Sequence, residues 1–169
     1  ALPICTKDTE TSADLGIIQT ATLTLLGLII GFTFSMAIAR YDLRQTYEEA
    51  EANAIGTEYL RADLLPSKTA ESIKGLLNEY LDQRILFYSK QDQETAKQIT
   101  QRTLALENAM WNELLPVTRS QASPTMALVI SGLNDVINSH GYTQAAWWNR
   151  IPTAAWWLMA AIAVGANIL

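Results

Sequence analysis

The chain of 169 residues contains one cysteine and one histidine. A single cysteine, Cys5, excludes an internal disulfide, and Cys5 together with His140 cannot supply the ligands of a structural zinc site. Serine-histidine-aspartate triads, phosphate-binding loops and dinucleotide fingerprints are also missing. We therefore expect a protein that is not an enzyme and that has no metal site and no cofactor.

Charged residues are missing from two stretches, Leu15 to Ala39 and everything after Arg150. As a helix with a rise of about 1.5 Å per residue, the first stretch would be roughly 37 Å long, more than the ~30 Å hydrocarbon core of a bilayer. It predicts a transmembrane helix at 15–39, and the apolar residues 151–169 predict a second, truncated one. The chain has no initiating methionine and no polar flank after 151–169, so we expect further membrane-spanning sequence in the natural product.

An excess of basic residues is lacking as well. The formal net charge is −5, and no basic patch interleaved with aromatic residues is present that could neutralise phosphates. Nucleic acid is therefore excluded as a partner. Most charges lie between residues 40 and 150, which indicates an aqueous segment, whereas residues 1–14 have no apolar periodicity and are expected to form a flexible flank.

The aqueous segment 40–150 has the apolar spacing of helices. No Gly-Pro break follows Ala39, so the first transmembrane helix should continue into water to about residue 63, where Leu65-Pro66 ends it. The fold class is therefore all-α. We predict a membrane protein with two visible transmembrane helices and an extramembrane helical bundle between them.

Three further helices should complete this bundle. One has an apolar stripe that ends near Ser89, and the next should begin with Asp92 as its N-cap and close at Pro116. The last should begin at Ser123-Pro124 and end before Gly141. His140 would then be a C-terminal cap or lie at the membrane interface.

The aqueous part of the first helix carries an acidic cluster and several small residues. The acids are Glu48, Glu49, Glu51, Glu58 and Asp63. Arg44 and Glu48 are four residues apart, and Glu58 and Arg61 three apart, so we expect the acids to form a solvated, ion-paired face. The small or polar residues repeat at a spacing of four and predict close helix packing, either within the chain or at a subunit interface. These packing candidates are Ala52, Asn53, Gly56 and Thr57.

Aromatic and basic residues mark the expected membrane boundaries. Arg40 with Tyr41 follows the first span, and Trp147, Trp148 and Arg150 precede the second, as is typical of interface anchors. Basic residues flank both spans on the side of the central domain. The positive-inside rule therefore predicts that the helical domain 40–150 is cytoplasmic.

Polar side chains are unusually frequent within the first span, where they would face protein or water. Gln19, Thr20, Thr22, Thr24, Thr33 and Ser35 all lie inside it. Together with the runs Leu26–Ala37, Arg40–Asp42 and Glu49–Pro66, this span resembles the bacterial bestrophin-like membrane proteins of unknown function, the DUF4239 group. The resemblance covers residues 15–169, and its marker is the block Glu-Ala-Asn-Ala-Ile-Gly-Thr. It implies a bacterial inner membrane.

The span also resembles the pore helix of true bestrophins, which are pentameric anion channels. Gly31-Phe32, Ser35 and Arg40-Tyr41 match elements of that helix. The resemblance implies that the family's hydrophobic neck falls on Thr24, Leu28 and Phe32, which would form an apolar constriction in a ring of subunits. The calcium clasp of eukaryotic bestrophins has no counterpart here, so calcium activation is not implied.

Two functions remain open at this point. The first is a homo-oligomeric ion channel in the bilayer, a pentamer by resemblance, that conducts inorganic ions through a pore lined by Thr24, Leu28, Phe32 and Ser35. The second is a non-conducting scaffold or sensor that the span anchors in the membrane. The two differ in whether these four residues face one another around an axis.

Overall fold

The computed structural model describes residues 5–89, 93–120, 123–149 and 152–168, and all regular structure in these ranges is helical. The helices are α1 (Cys5–Arg61), α2 (Ser67–Ser89), α3 (Gln93–Ser120), α4 (Pro124–Trp148) and α5 (Thr153–Ile168). A 3₁₀ turn, Ala62–Leu64, follows α1. The all-α prediction is confirmed.

The first helix begins earlier than expected and ends where expected. Residues 5–14 are helical, although we predicted a flexible flank, because neither proline nor glycine interrupts the chain between Cys5 and Leu15. At the other end Leu65, the residue before Pro66, has φ −88° and ψ 162°, an extended conformation that ends the helix as predicted.

Two predicted helix ends are wrong. Pro116 lies inside α3, which continues to Ser120. Only about one turn follows the proline, and the Thr118 hydroxyl donates to the Leu115 carbonyl at 2.8 Å, which satisfies an acceptor beside it. Gly141 lies inside α4, because glycine weakens a helix without ending it and the residues that follow are held by packing. The predicted cap Asp92 lies outside the described residues.

The chain divides into two compact units, residues 44–147 and residues 1–43 with 148–169. In the first unit the C-terminal part of α1 packs with α2, α3 and α4 as an antiparallel four-helix bundle. Side chains at helical spacing fill its core. The core includes Ile55, Ile73, Leu77, Tyr80, Leu106, Met110, Leu114, Val129, Leu133 and Val136.

The second unit contains the long apolar part of α1 and the helix α5. Within the described residues one helix, Gly16–Leu64, is long and apolar enough to cross a bilayer, and none of its most apolar window is buried. The 16 residues of α5 would be about 24 Å long, short of a ~30 Å core. The second predicted transmembrane helix is therefore not confirmed, and Ile151 and Leu169 lie outside the described residues.

The start of α4 provides a test of the local structure. The Ser123 hydroxyl accepts a hydrogen bond from the Met126 amide at 3.1 Å, which is an N-cap interaction. We expect Ser123→Ala to lower the unfolding free energy by about 1 kcal/mol. Chemical denaturation followed by circular dichroism would measure it. Ser131→Ala, at an exposed position inside α4, is the control and should be neutral or slightly stabilising; equal losses would contradict the cap.

Candidate functional site

The apolar part of α1 is exposed over most of its surface, and Leu26, Ile29 and Thr33 on one face are partly buried. The pore candidates Leu28 and Phe32 are 55% and 66% exposed, and Thr24 and Ser35 are also exposed. Steps of four residues place Thr24, Leu28 and Phe32 on one side of the helix. Among the described residues, nothing covers that side.

The threonines of this segment bond to their own helix. The hydroxyls of Thr20, Thr22 and Thr24 each donate to the carbonyl four residues earlier at 2.8 Å. Thr33 donates to Ile29 at 2.7 Å, and its hydroxyl also lies 3.7 Å from the sulfur of Met159 in α5. Because these bonds satisfy the hydroxyls locally, the threonines do not by themselves require water beside the helix.

The predicted membrane anchors have different surroundings. Tyr41 and Trp148 are 67% and 68% exposed, as an interface residue would be. Arg40 is half-buried, and its guanidinium donates to the Asn149 carbonyl at 3.1 Å. Arg150 lies outside the described residues.

Trp147 packs within the bundle. Its indole N–H donates to Glu48 at 3.1 Å, its ring meets Phe87 edge-on, and the Arg44 guanidinium lies 5.1 Å from the ring centroid. Arg44 also donates to the carbonyls of Ala146 and Trp147. The last carbonyls of a helix have no amide donor within the helix, and the Arg44 guanidinium supplies the donor for these two at the end of α4.

The small-residue positions of α1 face outward. Ala52, Asn53, Gly56 and Thr57 are all exposed, and a Cβ added at Gly56 would meet no atom within 4 Å. Leu60, on the next turn, is 69% exposed. Packing within the chain, one of the two alternatives for these residues, therefore does not occur in the bundle.

The prediction of a fully solvated acidic face is wrong. Glu51 and Glu58 are 1% and 0% exposed, because they continue the buried stripe that includes Ile55 and Ala62. Positions 51, 55, 58 and 62 have the spacing of one helix face, and this spacing was the available signal.

Glu51 forms a buried ion pair with α2. The Arg84 Nε donates to Glu51 Oε1 at 2.5 Å and Nη2 donates to Oε2 at 3.2 Å, with both side chains 2% exposed. The Tyr88 hydroxyl donates to Oε2 at 2.5 Å, and that of Tyr80 donates to Oε1 at 3.4 Å. A charge removed from water is tolerated when it is paired in this way.

This pairing shifts the pKa values of the residues around Glu51. Burial acts to lower the pKa of Arg84, but its hydrogen bond to Glu51 and the charge of Glu51 outweigh burial and raise the pKa. Burial and the neighbouring Glu51 carboxylate raise the pKa of both Tyr80 and Tyr88. The guanidinium also lies 4.5 Å from the Phe87 ring centroid. The cluster is a structural contact between α1 and α2.

A second buried polar pair joins α3 to α4. Nδ1 of His140 lies 2.7 Å from Oε1 of Glu107, and the residues are 4% and 6% exposed. The prediction of a cap or interfacial histidine is therefore wrong, because α4 continues past His140 to Trp148. One helical turn further, Gln144 donates to Thr100 at 3.3 Å.

Glu58 differs from the other buried acids because neither carboxyl oxygen has a hydrogen-bond partner. Gly132 of α4 lies against it, and a Cβ built there would be 2.9 Å from the Glu58 carboxyl carbon and closer still to Oε2. Burial, partly offset by Arg61 and reinforced by Asp135, raises the pKa of Glu58 to about 8. The side chain is therefore mostly neutral at pH 7.

Among the described side chains, no group of three or more His, Cys, Asp and Glu residues could hold a metal ion. An apolar cavity of about 40 Å³, lined by residues including Trp111, Leu114 and Ile130, is far below the roughly 300 Å³ of a small-molecule site. The chemistry available in the bundle is that of buried acids, a guanidinium, an imidazole and phenols.

The Glu51–Arg84 pair can be tested by truncation. Glu51→Ala should lower the unfolding free energy by about 3–5 kcal/mol, because it leaves a buried guanidinium without its counter-charge. The matched control is Glu79→Ala, which breaks the Glu79–Arg102 pair, in which both side chains are 56% exposed, and should change it by less than about 1 kcal/mol. Denaturant titration of the full chain would compare them, and similar losses would contradict the assignment.

Comparison of the chain with protein-family models, with curated proteins and with solved structures found no match in any of the three. The resemblance to bestrophin-like proteins therefore stays a prediction. Two features of the molecule bear on its function. They are the largely exposed apolar segment of α1 and the outward-facing small residues of the same helix.

Proposed function

We propose that the protein is a homo-oligomeric, channel-like membrane protein. In this proposal the apolar part of α1 crosses a bacterial inner membrane and lines an axial pore for inorganic ions. The bundle of residues 44–147 lies in the cytoplasm. An anion is the permeant class that the bestrophin resemblance implies.

The observation that carries the proposal is the exposed apolar surface of α1. Ten large apolar side chains between Ile17 and Ile38 are each 46–67% exposed. Full burial of such a side chain contributes about 1.5–3 kcal/mol, so leaving ten of them half-exposed in water would cost on the order of 10 kcal/mol. That equals the whole stability of an ordinary domain of about 5–15 kcal/mol. This cost supports a surface that is covered by lipid or by other subunits.

α1 is much longer than a bilayer is thick, so only part of it would cross the membrane. Its 57 residues would extend about 85 Å, far more than a ~30 Å bilayer core. Charged residues resume at Arg40, so the hydrocarbon-compatible part ends there. Arg40 and Arg44 follow it on the bundle side, which supports a cytoplasmic bundle.

Two sets of outward-facing residues support assembly into an oligomer. One apolar helix cannot enclose a pore alone. A pore would need several subunits, in which Thr24, Leu28, Phe32 and Ser35 face the same residues of the other copies. On the bundle, the exposed positions around Gly56 would let a second helix approach closely. A pentamer is the assembly that the resemblance implies.

The alternative function is a non-conducting membrane anchor with a scaffold or sensor domain. The threonine hydroxyls favour it, because Thr20, Thr22, Thr24 and Thr33 bond to their own helix and could tolerate lipid. The two functions differ in conductance, which can be measured directly.

Conduction can be tested in planar bilayers with purified oligomers. Phe32→Ala should increase the conductance, because a smaller side chain widens an apolar constriction and lowers its barrier to wetting. Phe34→Ala is the matched control, since Phe34 is equally exposed at 66% but lies about 200° around the helix. Absence of current from verified oligomers would overturn the channel proposal and leave the anchor.

Assembly can be tested separately by native mass spectrometry in detergent. Gly56→Leu should shift the population from oligomer to monomer, because the added side chain prevents close approach of another helix. Gly75→Leu on α2 is the control, since both glycines are exposed with open space at the Cβ position. An unchanged oligomer in Gly56→Leu would exclude this face from the subunit interface.

A further inference from the structure

The contact between α1 and α4 contains a buried acid whose carboxyl oxygens make no hydrogen bond. Glu58 is fully buried, and neither of its oxygens makes a hydrogen bond. An ionised carboxylate in such a place would lack both water and a donor, which is among the most unfavourable arrangements in a protein interior. A neutral carboxyl can be held there at much lower cost.

Gly132 makes the contact possible. A Cβ at this position would overlap Oε2 of Glu58 and Nη1 of Arg61, so a larger residue would force these two side chains to move. The backbone of α4 therefore lies directly against the carboxyl group. On this side no space is left for water between the carboxyl group and α4.

The charged groups around the carboxyl are few. Within the described side chains, the charges that act on Glu58 are Arg61 on α1 and Asp135 on α4. Nη1 of Arg61 lies 3.9 Å from Oδ2 of Asp135, and both of these side chains reach solvent. The guanidinium lies beside both Asp135 and Glu58 and makes no hydrogen bond to Glu58. Its charge favours ionisation of Glu58 more than Asp135 opposes it, but burial outweighs both.

We propose that Glu58 is a proton-dependent latch between α1 and α4. The neutral carboxyl allows α4 to lie against α1 at Gly132, and loss of the proton opens this contact so that water can reach the carboxylate. The two helices would then respond to pH near neutrality. This inference concerns the bundle alone and does not depend on whether the protein conducts ions.

The direction of the pH effect follows from the linkage between protonation and folding. Burial raises the pKa of Glu58 from 4.5 to about 8, so the folded bundle holds this proton more tightly than the unfolded chain. The stabilising contribution is complete below pH 4.5 and is lost as the pH rises toward 8. At pH 7 roughly a tenth of the molecules would be ionised at Glu58, and at pH 9 roughly nine tenths.

Infrared spectroscopy of the full chain in detergent tests the protonation directly. A neutral buried carboxyl should give a carbonyl band that disappears with a midpoint near pH 8. Glu58→Gln should lack the band, whereas Glu71→Gln, at an exposed position on α2, should keep it. A midpoint near 4.5 would overturn the proposal.

Hydrogen exchange tests the latch itself. In the wild type, amides of α4 around Gly132 should exchange roughly tenfold faster at pH 9 than at pH 7 after correction for base catalysis, since the ionised fraction rises by that factor. Glu58→Gln should show no such increase, and Glu71→Gln should behave as wild type. If Glu58→Gln does not fold, the wild type alone is used. The loss of its carbonyl band and the increase in its exchange rate must then have the same pH midpoint. Titration near pH 8 without faster exchange, or the same increase in Glu58→Gln, would overturn the latch.

Discussion

Charge burial is the constraint on which the bundle depends. The face of α1 that packs inward carries Glu51 and Glu58, and an acid in a protein interior needs either a counter-charge or a proton. The two acids meet this need differently. Glu51 is paired with Arg84, and two tyrosine hydroxyls donate to it. Glu58 is placed against backbone, where the neutral form is favoured.

The surroundings of Glu51 and Glu58 account for several residues on the neighbouring helices. On α2 the buried guanidinium of Arg84 has aromatic neighbours, since Phe87 and Tyr88 lie within cation-π distance of it. Gly132 makes α4 approach closely where Glu58 lies. The pair of Glu107 and His140 joins α3 to α4. Polar contacts of this kind specify which residues face each other more sharply than apolar packing does.

The apolar part of α1 follows a different requirement. Most of its large side chains are exposed among the described residues, and its threonines satisfy their hydroxyls on the preceding turn. A surface of this kind suits hydrocarbon better than water, because backbone and hydroxyl groups are already bonded and the remaining side chains are apolar. The resemblance, the exposed small residues and the basic residues after Ala39 are the further grounds for the proposal of a membrane-embedded oligomer.

The sequence by itself determined the helical class, the apolar segment of α1, the end of that helix before Pro66 and the apolar stripe of α2 that ends near Ser89, because periodicity and proline act locally. It misplaced the ends at Pro116 and Gly141, where packing sustained the helix. Only the tertiary structure decided that His140 is buried and which groups on other helices lie against Glu51, Glu58 and His140. Those groups are distant in the chain, such as Arg84 for Glu51, and a local pattern does not show which helix will place a charge or a glycine beside a given residue.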